Sequence, residues 1–436
     1  MASTKENEAA TPAVDTPDSN NIHGSPLTKE RFEQELQEAL NTKSKFGSNF
    51  TTEQIGLGQG FLSIMFRAKL DWEGEDAAGL PPSVVCKVPT MVTMIQMSKA
   101  TGLDKKMEKI NEETNANYDF EKATAAFLSM LKLIHASETA FYNLVNKEKL
   151  SLCVPKCYLA KDFGENDECG LIVLEDLCDI ASTKPIYEGI PVESLKKIME
   201  NLATVHAYSL THKEWLNNPK LNVTFSRLSA TSSDLQHANM VRMSVAMLKQ
   251  DHPDYFDPLI DRLADSIKEK TDMSIGETLH EEYGIPQVLT HGDLWMNNIM
   301  WKKTEDGKST TNELAALVDW QIAHPGCIGE DFVRLFCSSV SPEVRRENLD
   351  ELIDYYHATL KTKLGHEPPF TTKNIKDAYK RLFRIGVIMI VPAFGMFVKA
   401  GHNMLGAEDL EKRKHDVLTR CKCLIEDMYA YEDGTA

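Results

Sequence analysis

The most informative stretch of the sequence is His291-Gly292-Asp293-Leu294-Trp295-Met296-Asn297-Asn298. It is followed at once by a short apolar segment, Ile299-Met300-Trp301, which has the composition of a β-strand. After a polar turn, a second apolar segment runs from Leu314 to Val318 and ends at Asp319. We expect these two strands to form an antiparallel hairpin, in which the entry of the first strand lies beside the exit of the second.

This hairpin would place Asn298 beside Asp319, with Asp293 just upstream. An amide and two carboxylates suit Mg²⁺, which takes few protein ligands and fills its shell with phosphate oxygens. Phosphoryl transfer uses one carboxylate to orient and deprotonate the attacking hydroxyl, and an Asn and a second carboxylate to hold metal. We therefore expect Asp293 to be the catalytic base and the other two to bind metal. The alternative is that His-Gly-Asp forms an ordinary turn with a capping Asp.

Phosphoryl transfer also uses a Lys on a separate strand to neutralise phosphate charge. Lys87 lies in the middle of the apolar segment Val84-Val85-Cys86-Lys87-Val88, which indicates a strand with one charge directed into a polar cleft. The alternative is a Lys on an edge strand, where it would block strand pairing between molecules.

Glu138 lies on the apolar stripe of a long predicted helix, seven positions after Leu131. A carboxylate on a buried stripe costs free energy unless it is paired. Lys87 is the natural partner. The alternative is a helix rotated so that Glu138 reaches solvent at the edge of the stripe.

Glycines occur at positions 56, 58 and 60, immediately before a predicted strand. Such a loop can bring backbone N–H groups close to phosphates. The pattern is also common in simple flexible turns, and it lacks the strand-then-helix context of a dinucleotide-binding motif.

The composition excludes several classes of function. The chain has 436 residues, of which 42% are hydrophobic, and its formal charge is −17. With no basic footprint, nucleic acid is not an expected partner. Nine cysteines without a C-x-x-C pair argue against a zinc ribbon and favour a reducing compartment. The longest apolar stretch, Ile385 to Val398, is too short to span a bilayer and is predicted to be a core helix.

We expect three segments along the chain. Residues 1–26 have the composition of a disordered tail, residues 27–176 are rich in predicted strands, and residues 177–436 are mostly helical. The change in composition predicts two lobes with a cleft between them, which is a common place for a ligand. No signal-like segment is visible at the start, so we expect a soluble, cytoplasmic protein without membrane insertion.

The sequence resembles the aminoglycoside-phosphotransferase and choline-kinase superfamily, and within it the ecdysteroid kinase-like (CHK kinase-like) branch. The matching pieces span about residues 50 to 340 and keep the order of the family: Gly58-Gln59-Gly60-Phe61-Leu62-Ser63, Val85-Cys86-Lys87, Glu138 through Phe141-Tyr142, Leu174-Glu175-Asp176-Leu177, His291 through Asn298, and Val318-Asp319-Trp320-Gln321.

The resemblance implies an α+β, protein-kinase-like fold with a small antiparallel-sheet lobe and a larger, mainly helical lobe. It implies that the chain binds ATP and Mg²⁺ and phosphorylates a hydroxyl of a small molecule. Gly58, Gly60, Lys87 and Glu138 would then contact or position the phosphates. The remaining implied roles are an adenine-contacting linker that includes Glu175 and Leu177, a loop-bracing His291, and a structural, non-catalytic acid at Asp331.

Several questions stay open at the level of sequence. The segment from about 91 to 120 lengthens the connection between Lys87 and Glu138 and is either a lid or a passive surface loop. The acceptor is an ecdysteroid or other sterol, a choline-like cation or a glycoside, and the acidic composition mildly favours a cation. Trp295, Trp320 and Phe394 are either pocket walls or core. A silent nucleotide-binding scaffold and a metal-dependent hydrolase built on His291, Asp293, Asp319 and His324 are the alternative functions; protein partners are unknown.

Overall fold

The structure is a computed structural model that describes residues 21–56, 62–92, 120–165, 167, 169–223, 234–253, 255–256, 258–270 and 275–435. Over these ranges the chain forms two lobes, the first built on an antiparallel sheet and the second mainly helical. This is the arrangement that the sequence resemblance implies. The expected α+β class is therefore confirmed.

The first lobe contains seven strands and two helices among the described residues: α1 (Lys29–Leu40), β1 (Lys45–Phe46), β2 (Thr51–Ile55), β3 (Ser63–Lys69), β4 (Trp72–Glu73), β5 (Ser83–Pro89), α2 (Phe120–Glu148), β6 (Cys157–Lys161) and β7 (Leu171–Glu175). Five of the strands form one sheet in the order β2-β3-β5-β7-β6, and each neighbouring pair is antiparallel. Strand β5 thus has a hydrogen-bonded strand on both sides and lies at the centre of the sheet.

Helix α1 closes one face of this sheet. The Thr28 hydroxyl accepts a hydrogen bond from the Arg31 N–H and caps the start of the helix. Phe32 and Leu36 lie one turn apart on the inner face and are completely buried. The ring of Phe32 packs edge-on against Phe66 of β3, at a centroid distance of 6.0 Å. Helix α2 packs near β5 and β6.

The second lobe contains the remaining described strands and α-helices: β8 (Ala181–Thr183), α3 (Val192–Thr211), α4 (Asp234–Asp251), α5 (Leu259–Lys270), α6 (Ile275–Glu282), β9 (Val288–Thr290), β10 (Ile299–Lys303), β11 (Thr310–Leu317), β12 (His324–Gly326), α7 (Gly329–Ser339), α8 (Pro342–Leu364), α9 (Thr372–Ala400), α10 (His402–Leu405) and α11 (Leu410–Glu432). Strands β10 and β11 form the antiparallel hairpin that the sequence predicts, with Ile299 opposite Leu317. Strand β8 pairs with the other edge of β10.

The predicted core helix around Ile385 to Val398 is part of α9. This helix is longer than the apolar stretch because it begins at Thr372, 13 residues before Ile385, with a capping box at Thr371 and Asn374. By length and composition α9 is the single described helix that could cross a membrane. However, 61% of its most apolar window is buried inside the protein. The helix therefore fills the core of the second lobe.

One boundary differs from the sequence-based expectation. Residues 21–26, which we assigned to a disordered tail, form an ordered turn in which Ile22 and Ser25 are buried and Ile22 accepts a hydrogen bond from Ser25 N–H. The apolar side chains of Ile22 and Leu27 explain the difference, because they pack into the core of the first lobe. Residues 1–20, Gly58, Gly60 and most of the 91–120 segment lie outside the described residues.

Candidate active site

The candidate site begins with Lys87 on the central strand. Along β5 the side chains of Val84, Cys86 and Val88 are buried in the core of the first lobe. Since side chains alternate along a strand, Lys87 projects from the opposite face. It is paired on both sides, with Met65 of β3 and Ile172 of β7. The edge-strand alternative for Lys87 is therefore wrong.

Lys87 contacts two carboxylates from different parts of the chain. Its Nζ donates to Glu138 Oε2 at 2.6 Å and to Asp319 Oδ1 at 2.5 Å. Glu138 is only 2% exposed, so the alternative in which it reaches solvent is also wrong. The expected partnership between Lys87 and Glu138 is present, and Asp319 joins it from the second lobe.

The triad of Lys87, Glu138 and Asp319 has pKa values shifted by burial and by mutual charge. Burial raises the pKa of Glu138 to about 7, against the opposing attraction of Lys87, and the negative charge of Asp319 adds to the increase. Burial alone would lower the pKa of Lys87, but Asp319 and Glu138 outweigh it and hold that pKa above its ordinary value. The ammonium is therefore fixed in its charged form at the end of the cleft.

The His-Gly-Asp loop lies directly beside this triad. The Val318 N–H donates to the Asn298 carbonyl at 3.0 Å, which holds the two ends of the β10–β11 hairpin together. Asn298 Nδ2 donates to the Asp293 carbonyl at 2.8 Å and lies 3.3 Å from Asp293 Oδ2. Asp319 has a left-handed backbone, with φ of 64°. The hairpin thus brings Asp293, Asn298 and Asp319 to one end, as the strand pattern predicts.

A buried acid fixes the shape of the loop. Asp331, at the start of α7, accepts hydrogen bonds from the backbone N–H groups of His291 and Gly292, both at 2.9 Å. It is fully buried, and His206 Nε2 lies 3.8 Å from its Oδ2. Burial would raise the pKa of Asp331, but His206 and the His291 N–H hold it below its ordinary value. The two hydrogen bonds to Asp331 therefore hold the loop backbone at His291 and Gly292.

His291 connects the His-Gly-Asp loop to the β10–β11 hairpin. Its Nε2 lies 3.0 Å from the Val318 carbonyl, and its ring packs against Trp320 at a centroid distance of 4.4 Å. His324, in turn, contacts Glu330 through Nε2. Both imidazoles are thus engaged with protein groups. Among the described residues, no cluster of three or more His, Cys, Asp or Glu side chains is arranged to hold a metal.

Sequence reasoning missed Arg334. Arg334 lies one turn further along α7 than Asp331. Its Nε and Nη2 donate to Asp293 Oδ1 at 2.9 and 2.7 Å. The guanidinium carbon also lies 5.6 Å from the centre of the Trp295 ring. A signal was available, because Arg334 interrupts a helix whose neighbouring residues are apolar, the same reasoning that identified Glu138.

The predicted linker lies where β7 ends. Glu175 is the last residue of β7, and the Glu175 N–H donates to the Lys156 carbonyl at 2.8 Å. The carbonyl of Leu177 accepts from the N–H groups of Ile180 and Ala181. A clamp that sequence reasoning did not identify holds the linker to the sheet, since Arg67 of β3 donates to Asp176 at 2.5 Å.

The three aromatic residues considered as pocket walls differ in position. Trp320 is 1% exposed and stacks on Phe141 at 3.8 Å, and Phe394 is buried in the core of the second lobe. Trp295 is partly buried beside Arg334. Core packing is therefore the role of the first two.

The residues present fit a nucleotide with its metal ion. Asp319 and Asn298 offer a carboxylate oxygen and an amide oxygen, which are hard donors of the kind that Mg²⁺ prefers. Because Asn298 Nδ2 donates to Asp293, Oδ1 is the atom of Asn298 left for a cation. Two protein ligands leave the rest of the coordination shell for phosphate oxygens and water.

Comparisons with known proteins give two relatives from Caenorhabditis elegans. "Uncharacterized oxidoreductase dhs-27" is 24% identical over 349 residues, which are 77% of this chain but only 38% of that protein. "Uncharacterized kinase-like protein D1044.1" is 22% identical over 313 residues, 69% of this chain and 77% of that protein. The chain thus spans well under half the length of the first relative. The second relative is described as kinase-like, which agrees with the superfamily that the motifs resemble.

Solved structures that match include a choline kinase from Cryptosporidium parvum, which is 12% identical, has a TM-score of 0.45 and covers 89% of this chain and 91% of its own. A family described as "DUF1679: Uncharacterized oxidoreductase dhs-27" matches residues 18–435. Because that match spans almost the whole sequence, this chain belongs to the DUF1679 family.

Proposed function

We propose that this chain is an ATP- and Mg²⁺-dependent kinase that transfers a phosphoryl group to a hydroxyl of a small molecule. The observation that carries the proposal is the contact of Lys87 with both Glu138 and Asp319, beside Asn298 and Asp293. These are the groups that phosphoryl transfer uses to hold phosphates, metal and the attacking hydroxyl.

Each residue has a distinct task in this reaction. Lys87, oriented by Glu138, neutralises charge on the nucleotide phosphates. The resemblance assigns Gly58 and Gly60, which lie outside the described residues, to the same phosphates. The linker at Glu175 and Leu177 contacts adenine. Since the Leu177 carbonyl already accepts two hydrogen bonds, its N–H is the group available to the base.

The second lobe supplies the chemistry of transfer. Asn298 and Asp319 bind the cation, which when present neutralises charge that develops on the phosphates. Asp293 accepts a hydrogen bond from the acceptor hydroxyl, directs its oxygen towards the γ-phosphorus, and takes its proton. The new O–P bond forms as the bond from that phosphorus to the bridging oxygen breaks, and ADP leaves. Asp331 and His291 hold the loop in the shape that this requires.

The substrate classes that remain open are a sterol such as an ecdysteroid, a choline-like alcohol and a glycoside. We further propose that the chain acts as a soluble cytoplasmic protein on a small molecule and does not bind nucleic acid. The acidic charge of −17 supports the last point, because it repels a polyanion.

An oxidoreductase function, suggested by the name of one relative, has less support in this chain. Dinucleotide-binding folds are built on parallel strands joined by crossover helices. Among the described residues the strand pairs are antiparallel, from the five-stranded sheet of the first lobe to the β10–β11 hairpin. A silent nucleotide-binding scaffold would not need Asp293, Asn298 and Asp319 together.

The test is phosphate transfer from ATP labelled in its γ-phosphate to a broad panel of alcohols and metabolite extracts, with Mg²⁺ present. The purified protein should label at least one acceptor, and Asp293→Asn should reduce the rate by about 10²- to 10⁴-fold. Asp350→Asn is a matched control, because Asp350 is 81% exposed on α8. Equal rates for Asp293→Asn and the parent protein would refute the role of Asp293.

Two further measurements separate the alternatives. Stabilisation of the protein by ATP without transfer to any acceptor favours the scaffold. Metal analysis of the purified protein distinguishes the hydrolase, because tightly held zinc or iron supports it, whereas a kinase of this kind acquires its metal with the nucleotide.

A further inference from the structure

The contact between Arg334 and Asp293 has no role in the mechanism above. Both guanidinium donors point at one oxygen, Asp293 Oδ1, at 2.9 and 2.7 Å. The two side chains are 14% and 17% exposed, so the pair is largely buried and solvent screens its charges only in part. A cation is therefore fixed next to the residue proposed to bind the acceptor hydroxyl.

This contact determines which oxygen can receive a substrate. Oδ1 already accepts two charge-assisted hydrogen bonds, which saturate its lone pairs. Oδ2 has one longer contact, 3.3 Å from Asn298 Nδ2. The acceptor hydroxyl therefore binds at Oδ2, and the atoms attached to it lie within a few ångströms of the Arg334 guanidinium.

The three described aromatic residues considered as pocket walls do not offer an open cage. Proteins bind quaternary ammonium groups on the faces of aromatic rings. Here the Trp295 ring already has the Arg334 guanidinium 5.6 Å from its centre. Trp320 is stacked on Phe141 and buried, and Phe394 is buried in the core. None of these three rings is open to an ammonium ion.

From these contacts we infer that Arg334 determines acceptor specificity by excluding alcohols that carry an ammonium group, so that the acceptor is neutral or acidic. The inference rests on the proposed kinase function. In choline or ethanolamine the cation is two carbons from the hydroxyl, so it would lie near the guanidinium in a partly buried cleft, where like charges repel strongly. The N–H groups of Arg334 that do not bind Asp293 remain as donors for a hydroxyl or carboxylate.

The experiment compares initial rates of phosphate transfer to choline and ethanolamine, to myo-inositol and a polyhydroxylated sterol, and to D-glycerate. The parent protein, Arg334→Gln, Arg334→Lys and the control Arg262→Gln are assayed with the same ATP and Mg²⁺. Arg262 is a suitable control because it is 50% exposed and pairs with Asp433 at the surface. Stabilisation by ATP checks that each variant folds.

For the parent protein we expect kcat/KM for the best neutral or acidic alcohol to exceed that for either amine by about tenfold or more. Arg334→Gln should shrink this ratio by about tenfold, whereas Arg334→Lys, which keeps the charge, and Arg262→Gln should preserve it. A general structural defect would lower all rates together and leave the ratio unchanged.

Three results would overturn the inference. A parent protein that prefers choline or ethanolamine refutes it while leaving the kinase function intact. An Arg334→Gln variant with the same ratio of kcat/KM values as the parent protein also refutes the inference. Absence of transfer to every class of alcohol, with the parent no more active than Asp293→Asn, counts against the kinase function itself, and the specificity inference then fails with it.

Discussion

The ammonium of Lys87 lies 2.5 Å from the carboxylate of Asp319, although 232 positions separate the two residues in the sequence. This contact connects the central strand of the first lobe to the end of the hairpin in the second. The two opposite charges neutralise each other across this contact. The cleft is thus organised around an ion pair that a polyphosphate and its metal can replace with equivalent charges.

Lys87→Met should reduce the rate of phosphate transfer by about 100-fold or more, because no other charge reaches the phosphates from β5. It should also lower the free energy of unfolding, by about 3 kcal/mol, since Glu138 is left buried without its partner. Transfer rates and urea unfolding measure the two effects. Lys302→Met is the control because Lys302 is 58% exposed; a Lys87→Met protein with parental kinetics would contradict the assignment.

The raised pKa of Glu138, about 7, predicts opposite effects of pH on activity and stability. The folded state holds the Glu138 proton more tightly than the unfolded state, whose ordinary value is 4.5. The resulting stability is fully present below about pH 4.5 and is lost as pH rises through about 7. Activity should rise over the upper part of that range, because ionised Glu138 orients Lys87.

The pH prediction is measured by kcat/KM and by urea unfolding between about pH 5 and about pH 9. Glu138→Gln should be less active and should lack both trends, because the amide does not titrate. If the variant kept the pH profile of the parent, another group would be responsible.

Asn298→Ala should increase the Mg²⁺ concentration needed for half-maximal transfer by about tenfold, because one of two proposed protein ligands is removed. Asn297→Ala is the matched control, since Asn297 belongs to the same turn, Met296–Asn298, but is not a proposed ligand. Titration of Mg²⁺ at fixed ATP measures the effect. An identical Mg²⁺ requirement in the two variants would rule out a metal role for Asn298.

Asp331→Asn should reduce the free energy of unfolding by about 3 kcal/mol and the transfer rate as well. An amide cannot accept from both His291 N–H and Gly292 N–H through two oxygens, so one buried donor loses its partner. Chemical denaturation of the parent and the variant tests this. Asp350→Asn at the surface should change stability by less than about 0.5 kcal/mol, and a similarly small change at Asp331 would contradict the bracing role.

The features that sequence predicted best are those with a local physical signature. The β10–β11 hairpin followed from two short apolar strands separated by a polar turn, and register then placed Asn298 near Asp319. Glu138 was identifiable because a carboxylate on a buried stripe requires a partner. In each case the alternating or helical period fixed which side chains share a face.

The features that sequence missed depend on contacts between distant segments. The helix pattern marks Arg334 as a charge among apolar neighbours, but it does not identify Asp293 as the partner, because that contact is set by the packing of α7 against the loop before β10. Residues 21–26 were assigned to a tail because they are polar, yet two apolar side chains nearby suffice to fix them. The length of α9 was underestimated because polar residues in its first turns hide the capping box at Thr371.

At position 319 the left-handed backbone favours a different residue from the aspartate that the proposed chemistry needs. Its φ of 64° is a conformation that glycine adopts more easily than aspartate does. A design procedure that ranked substitutions only by how well each residue tolerates this φ would replace Asp319 with glycine. Such a protein would keep its shape and would lose the carboxylate that faces Lys87, so any effort to make this chain more robust must leave this position untouched.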